Sequence, residues 1–221
     1  MCAYDIESSG LDPSSDYVFQ VSMCFGYLGE NLDATSTAGS DGLVICVGPT
    51  TSLNSTPIAT VRNELELLQK FRELVIERQV CVLVGYNSYQ FDGQFLYKRA
   101  VNVYRFNDLC KIGFLRNHVC ALTSKVLESF ALGKNELSQF VIPGRVEFDA
   151  LMTVRRNHKL GSYKLDSVSK HFVGGKKDDV SYQYILGVCE SKDPDAVGKI
   201  AKYCLQDAWL TLKLISYLKD V

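Results

Sequence analysis

Features that direct a protein to a membrane, to secretion or to strong nucleic-acid binding are missing from these 221 residues. The longest apolar runs, such as 80–84, are far shorter than the roughly 20 residues that a membrane helix needs. The chain does not begin with a basic stretch followed by an apolar one, as a secretory leader does. Lysine and arginine number 24 against 25 acidic residues, so no general positive charge neutralises a phosphate backbone. We therefore expect a soluble, intracellular protein with no membrane partner and with only local contacts to any nucleic acid.

Cysteine spacing and loop composition are equally restrictive. The 8 cysteines include no C-x-x-C pair, so a zinc site or a disulfide scaffold is disfavoured and buried thiols in a reducing compartment are expected. No proline-, glycine- or serine-rich stretch divides the chain, and no internal repeat is visible. With 47% hydrophobic residues, the chain is long enough to bury one core, which predicts a single domain over residues 1–221.

The order of the predicted elements favours an α/β fold around a mixed sheet. β-Forming segments at 3–7, 18–27 and 43–47 predict three strands, of which the first two pair. A helical period over 61–78 is followed by a buried strand at 80–85, which implies a parallel crossover. Further helices are predicted at 91–100, 150–157, 164–172 and from Asp193 onward, with a short strand at 146–148. The residues 102–144 receive no assignment.

Two carboxylates lie at the end of the first predicted strand. Asp5 and Glu7 stand two residues apart, so on a strand both point to the same face, while Ile6 points into the core. Both carboxylates can then reach one metal site. A D-x-E pair is a weak signal by itself, because two solvated acids at a strand end are the ordinary interpretation.

A second group, 86–92, directly follows the buried strand at 80–85. This position places Asp92 at the start of a helix and at the carboxyl end of the strand, where the active sites of open α/β sheets gather. In isolation, the ordinary interpretation is that Asn87 forms a turn and that the helix dipole favours Asp92.

A third group lies on the last predicted helix. Tyr203 and Asp207 are four residues apart, which places the phenol and the carboxylate on one helix face, one turn apart. The same spacing occurs between Tyr104 and Asp108, so the pattern is weak alone, and a surface acid beside a core tyrosine is the ordinary interpretation.

Together, the three groups resemble the exonuclease motifs of family B DNA polymerases, in the order of that family. Residues 5–7 resemble the first motif, 86–92 the second and 203–207 the third. The segments 161–165 and 176–180 are similar to those of polymerases of the delta and herpesvirus types. The resemblance implies a ribonuclease-H-like mixed β-sheet flanked by helices, as an exonuclease domain of the type with four acids and one tyrosine.

The resemblance implies a function in DNA replication. The expected activity is 3′→5′ exonuclease proofreading, in which 3′-terminal nucleotides are removed by phosphodiester hydrolysis. The expected partners are a single-stranded or frayed 3′ DNA end and the remaining domains of a DNA polymerase. Palm, fingers and thumb segments are absent, so the chain is expected to be an excised or incomplete polymerase without polymerase activity. The nucleus or a viral replication site is the expected location if the parent is eukaryotic or viral.

The resemblance also implies two Mg²⁺ or Mn²⁺ ions held by four acids, Asp5, Glu7, Asp92 and Asp207. Such carboxylates repel one another until a divalent cation compensates, and hard oxygen ligands favour these ions over zinc. Asp5 would bridge both ions, Glu7 and Asp207 would complete the site of the nucleophilic water, and Asp92 would hold the second ion. Tyr203 would orient the water, because a phenol with an ordinary pKa of about 10 is a poor base at neutral pH.

Four further residues match family positions near the substrate. Asn87 and Phe91 would approach the terminal nucleotides, where an aromatic ring can stack on any base. Lys176 and Lys177 would lie near the scissile phosphate. The ordinary interpretations are a core position for Phe91 and a solvated turn for the two lysines.

Two other functions compete with the proofreading exonuclease. One is a non-catalytic module that binds nucleic acid or scaffolds a polymerase, and the complete set of four acids and Tyr203 disfavours it. The other is a free-standing DnaQ-like exonuclease acting on DNA or RNA. The segments 162–165 and 176–180 fit the polymerase pattern better.

Overall fold

A computed structural model describes residues 1–27, 41–53, 56–129, 133–175 and 180–219. The strands are β1 Cys2–Ser8, β2 Val18–Phe25, β3 Gly42–Val47, β4 Ile58–Val61, β5 Val82–Gly85, β6 Ala121–Ser129, β7 Gly133–Val141 and β8 Val146–Asp149. The α-helices are α1 Glu64–Glu77, α2 Asp92–Lys98, α3 Ala150–Asn157, α4 Leu165–Val173, α5 Tyr182–Ser191 and α6 Pro194–Leu218. A π-helical turn, Arg99–Val103, extends α2, and a 3₁₀ helix follows at Asn107–Lys111.

Six of the described strands form one mixed sheet in the order β4-β3-β2-β1-β5-β8, and β6 pairs with β7 in a separate hairpin. Strand β2 runs antiparallel to β1 and to β3. Strands β1, β5 and β8 run parallel to one another, so their carboxyl ends meet at one edge of the sheet. The predicted α/β class, the pairing of the first two strands and the parallel crossover to β5 are confirmed. Active sites gather at such an edge.

One face of the sheet is covered by α1. This helix begins after Asn63, whose side chain accepts a hydrogen bond from the Glu66 N–H at 3.0 Å. Its apolar side chains recur at helical spacing and pack against the alternate residues of β1 and β2 that point to the same face. The buried core on this side includes Tyr4, Ile6, Val21, Met23, Leu68, Phe71 and Val75.

The opposite face is covered by α6. Asp193 caps this helix by accepting a hydrogen bond from the Ala196 N–H at 3.3 Å, and Pro194 occupies its first turn, as the sequence predicts. Its buried face packs against the residues of β1, β2, β3 and β5 that point away from α1. This second cluster includes Ala3, Cys24, Val44, Val84, Ala201, Leu205, Trp209 and Leu212.

Some elements differ from the sequence-based predictions. Helix α1 begins at Glu64 rather than 61, because Ile58–Val61 pairs with β3 as an edge strand. The hairpin β6–β7 lies within the residues 102–144, which received no assignment. Helix α5 had not been predicted, although Ser181 caps it by accepting from the Tyr184 N–H. Most of the predicted loop between β2 and β3 lies outside the described residues.

All eight cysteines lie within the described ranges and carry free thiols, and six of the eight are buried, as expected. Among the described helices, none combines the length and the apolar character that crossing a bilayer requires.

Candidate active site

The two acids of β1 lie on the face of the sheet that α6 covers. Their neighbours Tyr4 and Ile6 point the other way, into the core against α1. One oxygen each from Asp5 and Glu7, together with Sγ of Cys204 on α6, lie within 4.8 Å of one another. The two carboxylates therefore share a face, as their spacing predicts.

Asp92 connects the second motif to the first. It is the first residue of α2, at the carboxyl edge of β5, and it is buried. Its Oδ1 accepts a hydrogen bond from the backbone N–H of Ile6 at 3.2 Å, between the two acids of β1. Burial, with smaller contributions from the charges of Asp149 and Asp207, raises the pKa of Asp92 to about 7. The fold therefore holds this carboxyl group where its charged form is costly.

Helix α6 brings the third motif to the same place. Asp207 is buried, and its charge raises the pKa of both Asp92 and the Cys204 thiol. Tyr203, one helical turn earlier, lines a cleft together with Asn87 from the loop after β5. The five residues predicted as catalytic thus come from β1, from the start of α2 and from α6. Their assignment as catalytic residues and metal ligands stays a prediction.

A buried polar contact fixes α6 against the strands that hold the first two acids. Ser22, the partner of Asp5 in the β1–β2 register, donates from Oγ to the carbonyl of Cys204 at 2.7 Å. The Cys204 thiol donates to the carbonyl of Asp5 at 3.4 Å. Gln20 donates from Nε2 to the carbonyl of Val197 at 2.9 Å. Burial raises the pKa of Cys204 well above its usual range, so the group remains a neutral thiol.

The cleft beside Tyr203 has a volume of about 840 Å³ and lies between α3, α4, α6 and the loop after β5. Three cationic side chains, Arg155, Lys164 and Lys170, line it, together with aromatic side chains. The Arg155 guanidinium lies 5.6 Å from the centre of the Tyr163 ring. One acid, Asp166, lines the cleft as well. Cations can bind phosphate groups and aromatic rings can stack on bases, so the lining combines two kinds of side chain that a nucleic-acid strand would need.

The predicted substrate contacts have different positions. Asn87 lines the cleft in a left-handed backbone conformation with φ of 68°, which asparagine tolerates better than most residues. Phe91 is partly buried against the core, and its ring lies 5.4 Å from that of Phe95. Both assignments stay predictions. Lys176 and Lys177 lie outside the described residues.

The competing Y-x-x-x-D pattern lies elsewhere. Tyr104 follows the π-helical turn, and Asp108 lies in the 3₁₀ helix, where it pairs with Lys111 at 2.7 Å. This exposed ion pair accounts for the lowered pKa of Asp108.

Two buried acids of β8 lie outside the three sequence motifs. Glu147 and Asp149 are 4% and 3% exposed and lie beside the loop that leads to Asp92. Burial raises the pKa of Glu147 to about 8, although the Phe140 N–H donates to its Oε2 at 2.7 Å. A signal for Asp149 was available, because it lies directly between the strand predicted at 146–148 and the helix predicted from Ala150.

The side chains at this edge suit a hard divalent cation. Asp5 and Glu7 offer carboxylate oxygens, the ligands that Mg²⁺ and Mn²⁺ prefer, and the nearby Cys204 is a neutral thiol engaged in hydrogen bonds. The raised pKa of Asp92 shows that burial and neighbouring charges oppose its ionisation. A bound cation would offset both effects.

A mixed sheet with helices on both faces and buried acids at the carboxyl edge of its parallel strands defines a domain of the ribonuclease-H-like class. Comparison with known proteins narrows the class. Residues 1–168 match the family model described as DNA polymerase family B, exonuclease domain. The chain therefore belongs to the family B DNA polymerase exonuclease domains, and a nuclease of the hydrolase class is the corresponding enzyme type.

Several DNA polymerase delta catalytic subunits are similar to this chain. The Schizosaccharomyces pombe protein is 30% identical over 98% of this chain, which covers 20% of that protein. The Dictyostelium discoideum protein is 29% identical over 98% of this chain and 19% of its own length. The Drosophila melanogaster protein is 33% identical over 72% of this chain and 14% of its own length. The chain thus spans at most about a fifth of the length of these relatives.

Proposed function

We propose that this chain is a 3′→5′ DNA exonuclease that removes 3′-terminal nucleotides with the help of Mg²⁺ or Mn²⁺, as the proofreading domain of a family B DNA polymerase. The main support is the convergence of carboxylates: Asp5 and Glu7 meet within 4.8 Å, and Asp92 accepts a hydrogen bond from the backbone between them. The charge of Asp207 raises the pKa of Asp92, so these two acids also lie near each other.

The acids Asp5, Glu7, Asp92 and Asp207 would hold two divalent cations. When bound, such ions stabilise the attacking and the leaving oxygen of an in-line displacement at phosphorus. Tyr203, which lines the cleft, would hold and orient the attacking water by a hydrogen bond. The water attacks the phosphorus, the 3′ oxygen of the preceding nucleotide leaves, and a nucleoside 5′-monophosphate is released.

The cleft supplies the substrate side of the proposal. Arg155, Lys164 and Lys170 offer positive charge to the phosphates of one strand, while Tyr86 and Tyr163 offer aromatic surface. The proposed partners are a frayed or single-stranded 3′ DNA end and the other domains of a polymerase. The proposed setting is DNA replication, in a nucleus or at a viral replication site.

Degradation of 5′-labelled single-stranded DNA in the presence of Mg²⁺ tests this function. We expect a ladder of products shortened from the 3′ end, release of nucleoside 5′-monophosphates and no reaction with chelator. Asp5→Ala combined with Glu7→Ala is expected to abolish the reaction. Asp108→Asn, which removes the acid of the competing pattern, is the matched control and should keep wild-type activity. Full activity in the double variant, or strong preference for a matched RNA strand, would contradict the proposal.

A further inference from the structure

The carboxylate of Asp149 accepts hydrogen bonds from three backbone N–H groups, two in the loop between β5 and α2 and one in α3. Its Oδ1 accepts hydrogen bonds from the N–H of Asn87 and the N–H of Leu151, each at 2.9 Å. Its Oδ2 accepts from the N–H of Tyr89 at 3.1 Å. The bond from Leu151 is an ordinary helix cap for α3. The bonds from Asn87 and Tyr89 cap no helix, because they reach the loop between β5 and α2.

That loop leads directly to Asp92. The carbonyl of Asn87 accepts from the N–H groups of Gln90 and Phe91 at 3.0 and 3.1 Å, and the carbonyl of Ser88 accepts from Gly93 at 3.1 Å. These turn bonds join the two amides held by Asp149 to the first residues of α2. A shift of the loop would therefore move the Asp92 carboxylate relative to β1.

The loop has little freedom to settle elsewhere. Tyr89 makes two further hydrogen bonds: its carbonyl accepts from the Ser138 N–H at 3.0 Å, and its hydroxyl donates to the Glu147 carbonyl at 2.9 Å. A Cβ at Gly93 would collide with the Glu147 carboxyl group, so α2 begins in close contact with β8. Asn87 has a left-handed backbone, a conformation that costs energy and persists because its surroundings enforce it.

We propose that Asp149 is a positioning residue for the nuclease site, whose buried carboxylate holds the loop 87–89 and thereby places Asp92 and Asn87. The proposal rests on the proposed function. It separates the two tasks of the buried acids at this edge: Asp92 faces β1, whereas both oxygens of Asp149 are directed at backbone N–H groups. Partners one step removed from a metal ligand commonly change metal affinity or activity by about 10- to 100-fold when replaced.

Asp149→Ser tests the proposal, because serine still caps α3 but is too short to hold the loop as well. Asp193→Ser is the matched control, since it makes the same exchange at the cap of α6, where the side chain accepts from the Ala196 N–H of its own helix. We expect Asp149→Ser to raise the half-saturating Mn²⁺ concentration by about 10- to 100-fold, to lower kcat, and to speed hydrogen exchange at the amides of Asn87 and Tyr89. Added Mn²⁺ should restore part of kcat. Asp193→Ser should change none of these.

Asp149→Asn is the second variant and covers the case in which the serine variant does not fold. Asparagine keeps one acceptor oxygen and the cap, so an effect of the same kind but smaller is expected. A folded variant with unchanged Mn²⁺ midpoint and kcat would overturn the proposal while leaving the nuclease function intact. If the wild-type chain neither cleaves DNA nor binds Mn²⁺, the function itself has failed. Unchanged exchange at the two amides would then overturn the positioning role as well.

Discussion

The two faces of the central sheet differ in what they bury. On the α1 side, residues such as Ile6, Met23 and Phe71 form an apolar core. On the α6 side, apolar packing gives way toward the carboxyl edge to buried polar side chains, among them Gln20 and Ser22, next to the acids. Burial of apolar surface drives folding, whereas a buried polar group is costly unless it is bonded. We infer that the α1 side mainly stabilises the fold and that the α6 side mainly positions the acids at the carboxyl edge.

The largest loss of activity without a loss of stability is expected at Asp92. Asp92→Asn keeps an acceptor oxygen for the Ile6 N–H but removes a charge that a divalent cation would need. We expect the nuclease rate to fall at least roughly a hundredfold, because metal stabilisation is worth several kcal/mol and each 1.36 kcal/mol is tenfold. Without metal, the variant should be more stable than the wild type above pH 7, because it lacks the buried carboxyl group whose pKa is raised to about 7. A loss of stability together with full activity would contradict this division.

A loss of stability without a change in metal binding is expected at Phe71, which is 1% exposed on the α1 side. Phe71→Ala removes most of a buried ring and should lower the free energy of unfolding by about 3–5 kcal/mol. At a temperature where the variant is still folded, its half-saturating Mn²⁺ concentration should match that of the wild type. Urea unfolding and metal titration on the same sample measure both quantities, and a large shift in the metal midpoint would show that the α1 side also positions the metal ligands.

Glu147 extends the comparison to pH. Its folded pKa of about 8 lies above its ordinary 4.5, so between these values the folded state keeps a proton that the unfolded state has lost. Stability contributed at this site is therefore lost as pH rises through that window. Glu147→Gln should flatten the decline and be more stable than the wild type at pH 8, by an amount on the order of a few kcal/mol. Parallel slopes of Tm against pH in the two proteins would exclude this effect.

The smallest effect is expected at Ser22, on the α6 side. Ser22→Ala removes the donor to the Cys204 carbonyl and should cost about 1 kcal/mol of stability. Because this contact fixes α6 beside Asp5, the metal midpoint should shift although the stability loss is minor. Cys2→Ala, a small buried change on the α1 side of β1, is the control and should leave the metal midpoint unchanged.

Local patterns predict the parts of this molecule that local chemistry determines. The alternation of β1 places Asp5 and Glu7 on one face, and the cap at Asp193 marks the start of α6. The strand β4 and the hairpin β6–β7 escaped prediction, because their pairing partners are set by the tertiary fold rather than by a strong period. The contacts of Asp149 could not be predicted from the sequence for a related reason. Asp149 accepts from the Tyr89 N–H, 60 residues earlier in the chain, which requires β8 to lie beside β5.

We propose that four acids from β1, α2 and α6 form one site for a pair of divalent cations. Electron paramagnetic resonance can count Mn²⁺ ions bound to the chain without DNA or catalysis. We expect two bound ions per wild-type chain and a marked loss of both in Asp5→Ala, because Asp5 would hold both ions. Absence of saturable binding in the wild type, or undiminished binding in Asp5→Ala, would contradict it.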